Sequence, residues 1–329
     1  MKLRPIPAAA AAPIAAVLLS VGGCFDCPDT LVTLDELIGE YNANADAVPR
    51  LWARAKIAVS LRAEDGMEIT WGSTSSVATP NGLLLLWKRR PLGPHDFVLI
   101  GRETAAVELF RLGSNTRQGE YYFWFRFGGR GGAWYGHLDR AGAPGVRGLP
   151  IDPMQLLSVL SICRLPDDPT GLPTVAMSMQ NKRDDCAYVV TYIDRQAVSG
   201  RVLLMRELFF RWSDEKPRHP YKINLLDPAG RRVLTAELSD YRPIDVSDLD
   251  DPPDFDPVMP TDIKIVSHDV GGLKTAVRKI HVVLSAMTAA DVADPVATEF
   301  QPPPGVVPVE VDRHVPPPKP RRPSGGGAK

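Results

Sequence analysis

A run of six aromatic residues and one arginine constrains the fold of this chain more than any other stretch. It reads Tyr121-Tyr122-Phe123-Trp124-Phe125-Arg126-Phe127. With a period of two, Tyr121, Phe123, Phe125 and Phe127 share one face, whereas a helix would spread the rings around its circumference. Aromatic side chains favour the half-buried surface of a sheet. The run therefore predicts a strand with one strongly apolar face.

Strand-like runs on both sides of this stretch predict one large antiparallel sheet, mainly β with few helices. Those nearest to it are Leu83–Trp87, Phe97–Ile100, Val107–Leu109 and Trp134–Leu138. Earlier and later ones are Arg54–Leu61, Met67–Trp71, Val175–Met179, Tyr188–Ile193, Arg201–Trp212, Tyr221–Leu226, Val233–Leu238 and Ile263–Val270. The apolar face of such a sheet either packs a private core or covers a ligand.

Two segments predict helices and a third is ambiguous. Thr33 to Glu36 has the form of a capping box, and apolar residues then follow at helical spacing. Met154–Ile162 is apolar nearly all round, which is typical of a short buried helix. Leu273–Met287 fits a helical period best, although Ile280, Val282 and Leu284 also fit a strand.

Composition indicates a globular domain, and both ends of the chain differ from it in composition. The 329 residues carry a net charge of -1, and the pI near 6.6 argues against a nucleic-acid partner. An acidic, proline-rich loop is predicted from Ile244 to Pro260. We expect a signal peptide over residues 1–23, a linker over 24–32 and the folded domain over 33–309. The tail over 310–329 is rich in proline, glycine and basic residues, and we expect it to be disordered.

The N-terminus predicts export and lipidation. Lysine and arginine precede an apolar run from Ala8 to Val21, which has the length of a signal peptide and is short for a membrane span. It ends in Val21-Gly22-Gly23-Cys24, which resembles the bacterial lipobox, whose cysteine is acylated. An ordinary secretory signal is the alternative. Acylated Cys24 is expected to anchor the chain to a membrane with the folded domain facing the periplasm. The outer membrane is favoured over the inner membrane.

Three cysteines remain if Cys24 is acylated. Cys163 and Cys186 follow an export signal and predict a disulfide, with two buried thiols as the alternative. Cys27 is then left over. The Cys24–Cys27 spacing is weak evidence for a metal, and no metal site is predicted.

No catalytic or cofactor motif emerges from the sequence, so we expect no enzyme and no cofactor. The six histidines form no metal-binding spacing, and no nucleophile elbow or phosphate-binding loop is present. Gly128–Gly132 fits a hairpin loop better than a phosphate cradle. The Asp248–Asp256 cluster fits a solvated loop better than a calcium site.

The order of these elements resembles the LolA/LolB-like lipoprotein-localisation superfamily, over about Thr30 to Val309. The segments that carry the resemblance are Asn42–Lys56, Leu112–Asn115 before Glu120–Phe125, Pro150–Leu157 and Phe300–Pro303. It implies an open, curved sheet, a half-barrel, with helices over its concave side and acyl chains of lipids or lipoproteins held between them. It also implies a strand over Lys279–Leu284.

This resemblance turns the apolar faces into candidate lipid-binding surfaces. The candidates are Leu85, Trp87, Tyr121, Phe123, Phe125, Phe127, Leu204, Arg206, Leu208 and Phe210. Arg206 shares the face of Leu204 and Leu208. If that face is inward, Arg206 latches a helix carbonyl or a lipid head group; the alternatives are that the other face is inward or that Arg206 reaches the rim. An alternative is a non-catalytic interaction lipoprotein whose tail touches an envelope protein or peptidoglycan.

Overall fold

Fifteen strands form one sheet in the computed structural model of the protein. The model describes residues 31–62, 66–88, 95–104, 107–127, 130–141, 153–168, 170–171, 173–182, 185–195, 202–212, 218–268, 277–290 and 298–313. The strands are β1 (Arg50–Arg62), β2 (Glu68–Gly72), β3 (Gly82–Trp87), β4 (Asp96–Thr104), β5 (Val107–Asn115), β6 (Glu120–Phe127), β7 (Arg130–His137), β8 (Thr174–Lys182), β9 (Asp185–Arg195), β10 (Val202–Arg211), β11 (Pro220–Leu226), β12 (Arg232–Pro243), β13 (Val258–Ser267), β14 (Val277–Thr288) and β15 (Val309–Glu310).

The sheet grows in both directions from the pairing of β1 with β14. Its order is β15-β7-β6-β5-β4-β3-β1-β14-β13-β12-β11-β10-β9-β8, and β2 pairs with β1. Neighbours are antiparallel except β15, which runs parallel to β7. Among the described strands β8 and β15 lie at opposite ends, so the sheet is not closed. The predicted large, open and curved antiparallel sheet is confirmed.

From Val277 onward the ambiguous segment is the strand β14, and residues 273–276 lie outside the described residues. Ile57 lies opposite Val282, and Val59 lies opposite Ile280. On its other side β14 pairs with β13, where Ile263 faces Val282. The apolar residues at alternate positions therefore extend one buried face across three strands. Helical periodicity pointed the wrong way here because the residues between them are also partly apolar.

Two α-helices lie in the described part of the chain, α1 (Leu34–Asp46) and α2 (Pro153–Val159), with a short 3₁₀ turn at Leu138–Arg140. The Thr33 hydroxyl accepts a hydrogen bond from the Glu36 amide at 3.2 Å, which confirms the predicted N-cap. α2 ends three residues before the predicted Ile162, because Ser161 adopts a left-handed backbone with φ 58°. Neither helix is long and apolar enough to cross a membrane.

Both helices share one core with a single face of the sheet. Leu37 and Tyr41 of α1 and Leu156 of α2 are buried in the same cluster as Ile57 and Phe123. We call this side of the sheet the core face. Both helices therefore lie over one face of the sheet. That this face is the concave one stays a prediction.

The opposite side of the aromatic strand is covered by residues 298–313, which we call the C-terminal strap. The Tyr122 hydroxyl donates to the Thr298 carbonyl at 2.5 Å. The Phe300 ring stacks on Tyr122 with 5.2 Å between centroids. The buried Asp312 carboxylate accepts from the His137 amide at 2.8 Å. Both faces of β6 are therefore packed against protein.

The C-terminal strap continues the folded region beyond its predicted end. Val311 and Asp312 are buried, so the folded region extends beyond 309, and the boundary placed at 310 was too early. Residues 1–30, with Cys24 and Cys27, and the tail from 314 lie outside the described residues. So do Gly128 and Gly129 of the predicted glycine loop.

Truncation tests the strap. Ending the chain after Pro308 removes β15 and Asp312 and leaves the His137 amide without its partner, which costs about 2–4 kcal/mol of unfolding free energy. Ending it after Arg313 keeps these contacts and changes stability by less than about 0.5 kcal/mol. Urea unfolding of the two variants measures the difference, and equal stabilities would show that residues 309–313 of the strap contribute nothing.

Candidate functional site

The core face carries a continuous row of large apolar side chains across β3 to β7. Phe123 lies opposite Leu112 on one side and Trp134 on the other. The Phe123 and Trp134 rings stack nearly parallel at 5.9 Å, and Phe125 stacks on the same Trp134 at 5.8 Å. Gly136, opposite Tyr121, has no room for a Cβ because the Tyr121 ring fills the space. Tyr121, Phe123 and Phe125 thus share this face as predicted.

The far half of the core face is built by β9 and β10. Leu208 lies opposite Val190, and Phe210 lies opposite Tyr188. All four are buried, and Leu204 packs against the same cluster. The predicted inward face of β10 is therefore confirmed for these residues. The side chain of Phe127, also predicted here, lies outside the described residues.

Leu85 and Trp87 lie on the opposite face of the sheet, so their grouping with Phe123 was wrong. Leu85 faces Val98 and forms a small separate cluster that includes Trp52 and Trp87. Leu84 takes the core-face position instead. A shift of one residue moves a side chain to the other face. Leu83–Trp87 is apolar at every position, so its sequence does not distinguish the two sides.

α1 covers the core face above β10. The Tyr41 ring meets Phe210 edge to face, with 6.3 Å between centroids. Two buried asparagines hold the helix by paired backbone hydrogen bonds. Asn42 donates to the Leu165 carbonyl at 2.9 Å and accepts from its amide at 2.7 Å. Asn44 makes the same pair with Val258, at 2.8 Å each. We call these two pairs the asparagine clamps.

Arg206 points to the core face and lies half-buried among aromatic rings. It is opposite Tyr192 on β9, and its guanidinium carbon is 5.2 Å from the centroid of that ring. No carboxylate or carbonyl of the described residues bonds to it, so the predicted bond to a helix carbonyl is not found there. Tyr192 makes such a bond instead, donating its hydroxyl to the Pro166 carbonyl at 2.9 Å.

Other polar groups surround Arg206 beneath α1. The Lys88 ammonium donates to the Ala45 carbonyl of α1, and burial lowers the pKa of Lys88 to about 8. Burial raises the pKa of the Cys163 thiol to about 11 and raises the pKa of Tyr41. The thiol and phenol therefore stay neutral at pH 7, and the positive charge of Arg206 is not neutralised by them.

The predicted disulfide between Cys163 and Cys186 is wrong. Cys163 is a free thiol below α2, with its sulfur 3.9 Å from the Leu157 carbonyl. Cys186 is disulfide-bonded, at the beginning of β9. The two residues are close in sequence, but α2 and the segment after it direct Cys163 into the core.

Two open pockets of about 610 and 630 Å³ are lined by described residues, and both lie beside the acidic loop between β12 and β13. The first is bordered by Asp46, Asp250 and Asp254, and the second by Ile244 and Met287. Neither lies between the helices and the aromatic part of the core face.

Potential metal ligands meet at one place in the described part of the chain. His137, Glu310 and Asp312 bring one ligand atom each to within 4.8 Å of one another. Asp312 already accepts from the His137 amide and lies 3.1 Å from its ring nitrogen, so the group holds the strap. The described residues of the Asp248–Asp256 cluster form no such group.

A chain of hydrogen bonds on the other face of the sheet links a hydroxyl, an imidazole and a carboxylate. Thr74 lies 2.7 Å from Nδ1 of His281, and Nε2 of His281 lies 2.7 Å from Asp262. This is the reverse of the order of ring nitrogens in a serine-protease triad. All three side chains are partly exposed, and none lines either described pocket. The chain ties the segment after β2 to β13 and β14.

Three solved structures resemble this chain over most of its length, with low sequence identity. A LolA superfamily protein from Nitrosomonas europaea is 14% identical, with a TM-score of 0.43, over 81% of this chain and 97% of that one. A DUF1329 family protein from Desulfovibrio piger is 10% identical, with a TM-score of 0.46, over 80% and 95%. A domain from Vibrio parahaemolyticus, provisionally described as an outer membrane lipoprotein-sorting protein, is 10% identical, with a TM-score of 0.45, over 80% and 95%.

Such identities and TM-scores carry no information about the ligand or activity of this chain. The sequence matches no protein-family model and no curated protein.

The asparagine clamps give a prediction about how firmly α1 is held. Asn42→Ala leaves the buried amide and carbonyl of Leu165 unpaired, so we expect a loss of about 2–3 kcal/mol of unfolding free energy. Gly39 lies in the same helix with open space around its Cα. Gly39→Ala should therefore stabilise the protein by about 0.5–1 kcal/mol. Urea unfolding measures both, and an unchanged Asn42→Ala stability would show that the clamp does not hold the helix.

Proposed function

We propose that this protein is a cell-envelope lipoprotein that binds an acyl chain between the core face and α1. The observation that carries the proposal is Arg206. Its half-buried guanidinium lies on an apolar face and, among the described residues, contacts a ring and no anion, which keeps its donors available for a carboxylate or phosphate head group. The aromatic and aliphatic side chains beside it suit the hydrocarbon part of the same ligand.

The way in which α1 is attached supports the proposal. α1 packs on the core face through apolar side chains, and a few polar contacts position it there. Here the asparagine clamps and the hydrogen bond from Lys88 to Ala45 also hold it, and hydrogen bonds of this kind contribute about 1 kcal/mol each. An acyl chain that packs against Phe210 takes the place of the Tyr41 ring. The arrangement in which Tyr41 packs on Phe210 is then the closed state of a site that opens by displacement of the helix.

Membrane attachment completes the proposal. The leader and Cys24 support processing and acylation at that residue. The folded domain is then attached to a membrane surface on the periplasmic side, with the outer membrane favoured over the inner membrane. The partners are then the membrane, through Cys24, and lipid or lipoprotein acyl chains, through the core face. The proposed role is binding, without catalysis, in lipid or lipoprotein transfer.

Arg206 provides the direct test of ligand binding. For the domain without its anchor, Arg206→Leu should weaken binding of a fluorescent fatty acid by about 10-fold or more, because a charged hydrogen bond contributes about 1.5–3 kcal/mol. Binding of the matching fatty alcohol should change little. Arg211→Leu is the matched control, since Arg211 lies on the same strand, exposed, over the ring of Tyr221 at 4.9 Å.

Two results would contradict the proposed site. One is equal fatty-acid binding by the wild type and Arg206→Leu. The other is a wild-type domain that shows a clean ligand-free mass in native mass spectrometry and takes up no fatty acid. Urea unfolding of both variants separates loss of binding from loss of the fold.

Anchoring is tested at Cys24. Cys24→Ala removes the sulfur that accepts the lipid, so the variant should keep residues 1–23 and incorporate no fatty-acid analogue during metabolic labelling. Cys27→Ala should be processed and labelled like the wild type. Label on the Cys24→Ala protein would refute acylation at this position.

A second candidate is a structural or interaction lipoprotein whose core face is only a core. The complete burial of Phe210 favours it. The tail would then contact an envelope protein or peptidoglycan. The variant ending after Arg313 keeps the strap, so it tests the tail alone. If it retains every partner of the full chain in pulldown, the tail is not the working part.

A further inference from the structure

The segment that follows the leader enters the fold at β9. Val32 is buried, and its amide donates to the Tyr188 hydroxyl at 3.2 Å. Leu31, one residue earlier, is exposed. Tyr188, Val190 and Tyr192 alternate along β9 and all belong to the core. The chain therefore reaches the sheet on the core-face side of β9.

Cys186 lies on that same side. It is two residues before Tyr188 in β9, so the two side chains point to the same face. The Trp212 ring packs on Tyr188 at 5.2 Å, and the Trp212 amide donates to the Cys186 carbonyl at 2.8 Å, which fixes this end of β9 against the end of β10. The half-buried, disulfide-bonded Cys186 thus lies where the N-terminal segment arrives.

The identity of its partner follows from the cysteine inventory. The chain has four cysteines, at 24, 27, 163 and 186, and Cys163 is a free thiol. Cys24 and Cys27 are left. Four residues lie between Cys27 and Val32, and this stretch reaches up to about 17 Å, whereas Tyr188 and Cys186 are only about 7 Å apart along the strand. Cys27 can therefore reach Cys186 without displacing Val32.

We propose that Cys27 and Cys186 form a disulfide that fastens the anchor segment to β9, while Cys24 carries the lipid. This assignment rests on the proposed acylation, because a thioether at Cys24 removes its thiol from exchange. The thiolate of one cysteine attacks the disulfide of an envelope thiol–disulfide exchange protein. The second then displaces that protein from the mixed disulfide. Two thiols lose two protons and two electrons, and the exchange protein leaves as a dithiol.

The bond sets the length of the membrane tether. Only Phe25 and Asp26 separate the acylated residue from Cys27, so the anchor lies at most about 11 Å from the disulfide. Without the bond, the free linker extends as far as Val32. The end of the sheet formed by β8 and β9 is therefore held close to the bilayer.

Peptide mapping of the full-length lipoprotein, extracted from membranes and alkylated without reduction, tests the assignment. Trypsin places the cysteines on three separate peptides, residues 24–50, 148–164 and 184–195. We expect an acylated 24–50 peptide linked to 184–195, with alkylated Cys163 on 148–164. Cys27→Ala should abolish the linked species and give alkylated Cys186, and Cys163→Ala should leave the linkage unchanged.

A linked peptide that survives in Cys27→Ala would assign the bond to Cys24 and overturn the proposal. A link from 184–195 to 148–164, or alkylated Cys186 in the wild type, would also overturn it. The same spectrum reports acylation independently. A linked but unacylated 24–50 peptide, kept in Cys24→Ala and lost in Cys27→Ala, leaves the disulfide in place and refutes only the lipid anchor.

Discussion

The register between β1 and β14 is the constraint on which the rest of the structure depends. It joins residues more than 200 positions apart and aligns Ile57 with Val282 and Val59 with Ile280. Because side chains alternate along a strand, this alignment fixes the face on which every neighbouring strand presents its apolar residues. If β14 slipped by one residue against β1, the apolar side chains of the two halves of the sheet would lie on opposite faces. The helices could then cover only half of the apolar surface.

Covering so wide a sheet requires segments that are distant in sequence, and the polar contacts show how they are held. α1 is joined to the segment after α2 through Asn42 and to β13 through Asn44. Glu40 of the same helix pairs with the buried Arg218 at 2.9 Å. Each contact satisfies a buried polar group, so each is directional in a way that apolar packing is not. The apolar contacts stabilise the cover, and the polar contacts determine where it lies.

The sequence predicted the sheet well where alternation was strict. β6 contains Arg126 and β1 contains polar residues at alternate positions, so both faces could be assigned. In β3, four consecutive leucines gave no such information, and the face was decided by pairing with β1 and β4. The clamps had a signal that could have been read, since Asn42 and Asn44 follow Tyr41 on the buried part of α1. A buried asparagine requires partners, although their identity comes only from the fold.

The candidate site was predicted in part for the same reason. Arg206 was placed on the inward face by alternation with Leu204 and Leu208, which is local information. The groups that interact with it, Tyr41, Cys163 and Tyr192, come from three distant parts of the chain, and no periodicity connects them. The cysteine pairing failed likewise, because nearness in sequence gave no measure of the distance that α2 imposes on Cys163.

The strap has a consequence for the order in which the protein is completed. Thr298 and Phe300 lie more than 170 residues after Tyr122, which they cover. During synthesis or export in the N-to-C direction, β6 and β7 are available long before these residues. Their outer aromatic surface therefore stays uncovered until nearly the whole chain has emerged, and exposed strands of this kind associate readily. A chaperone that recognises aromatic strands would find its binding surface here, and the arrival of Asp312 at His137 would end that exposure.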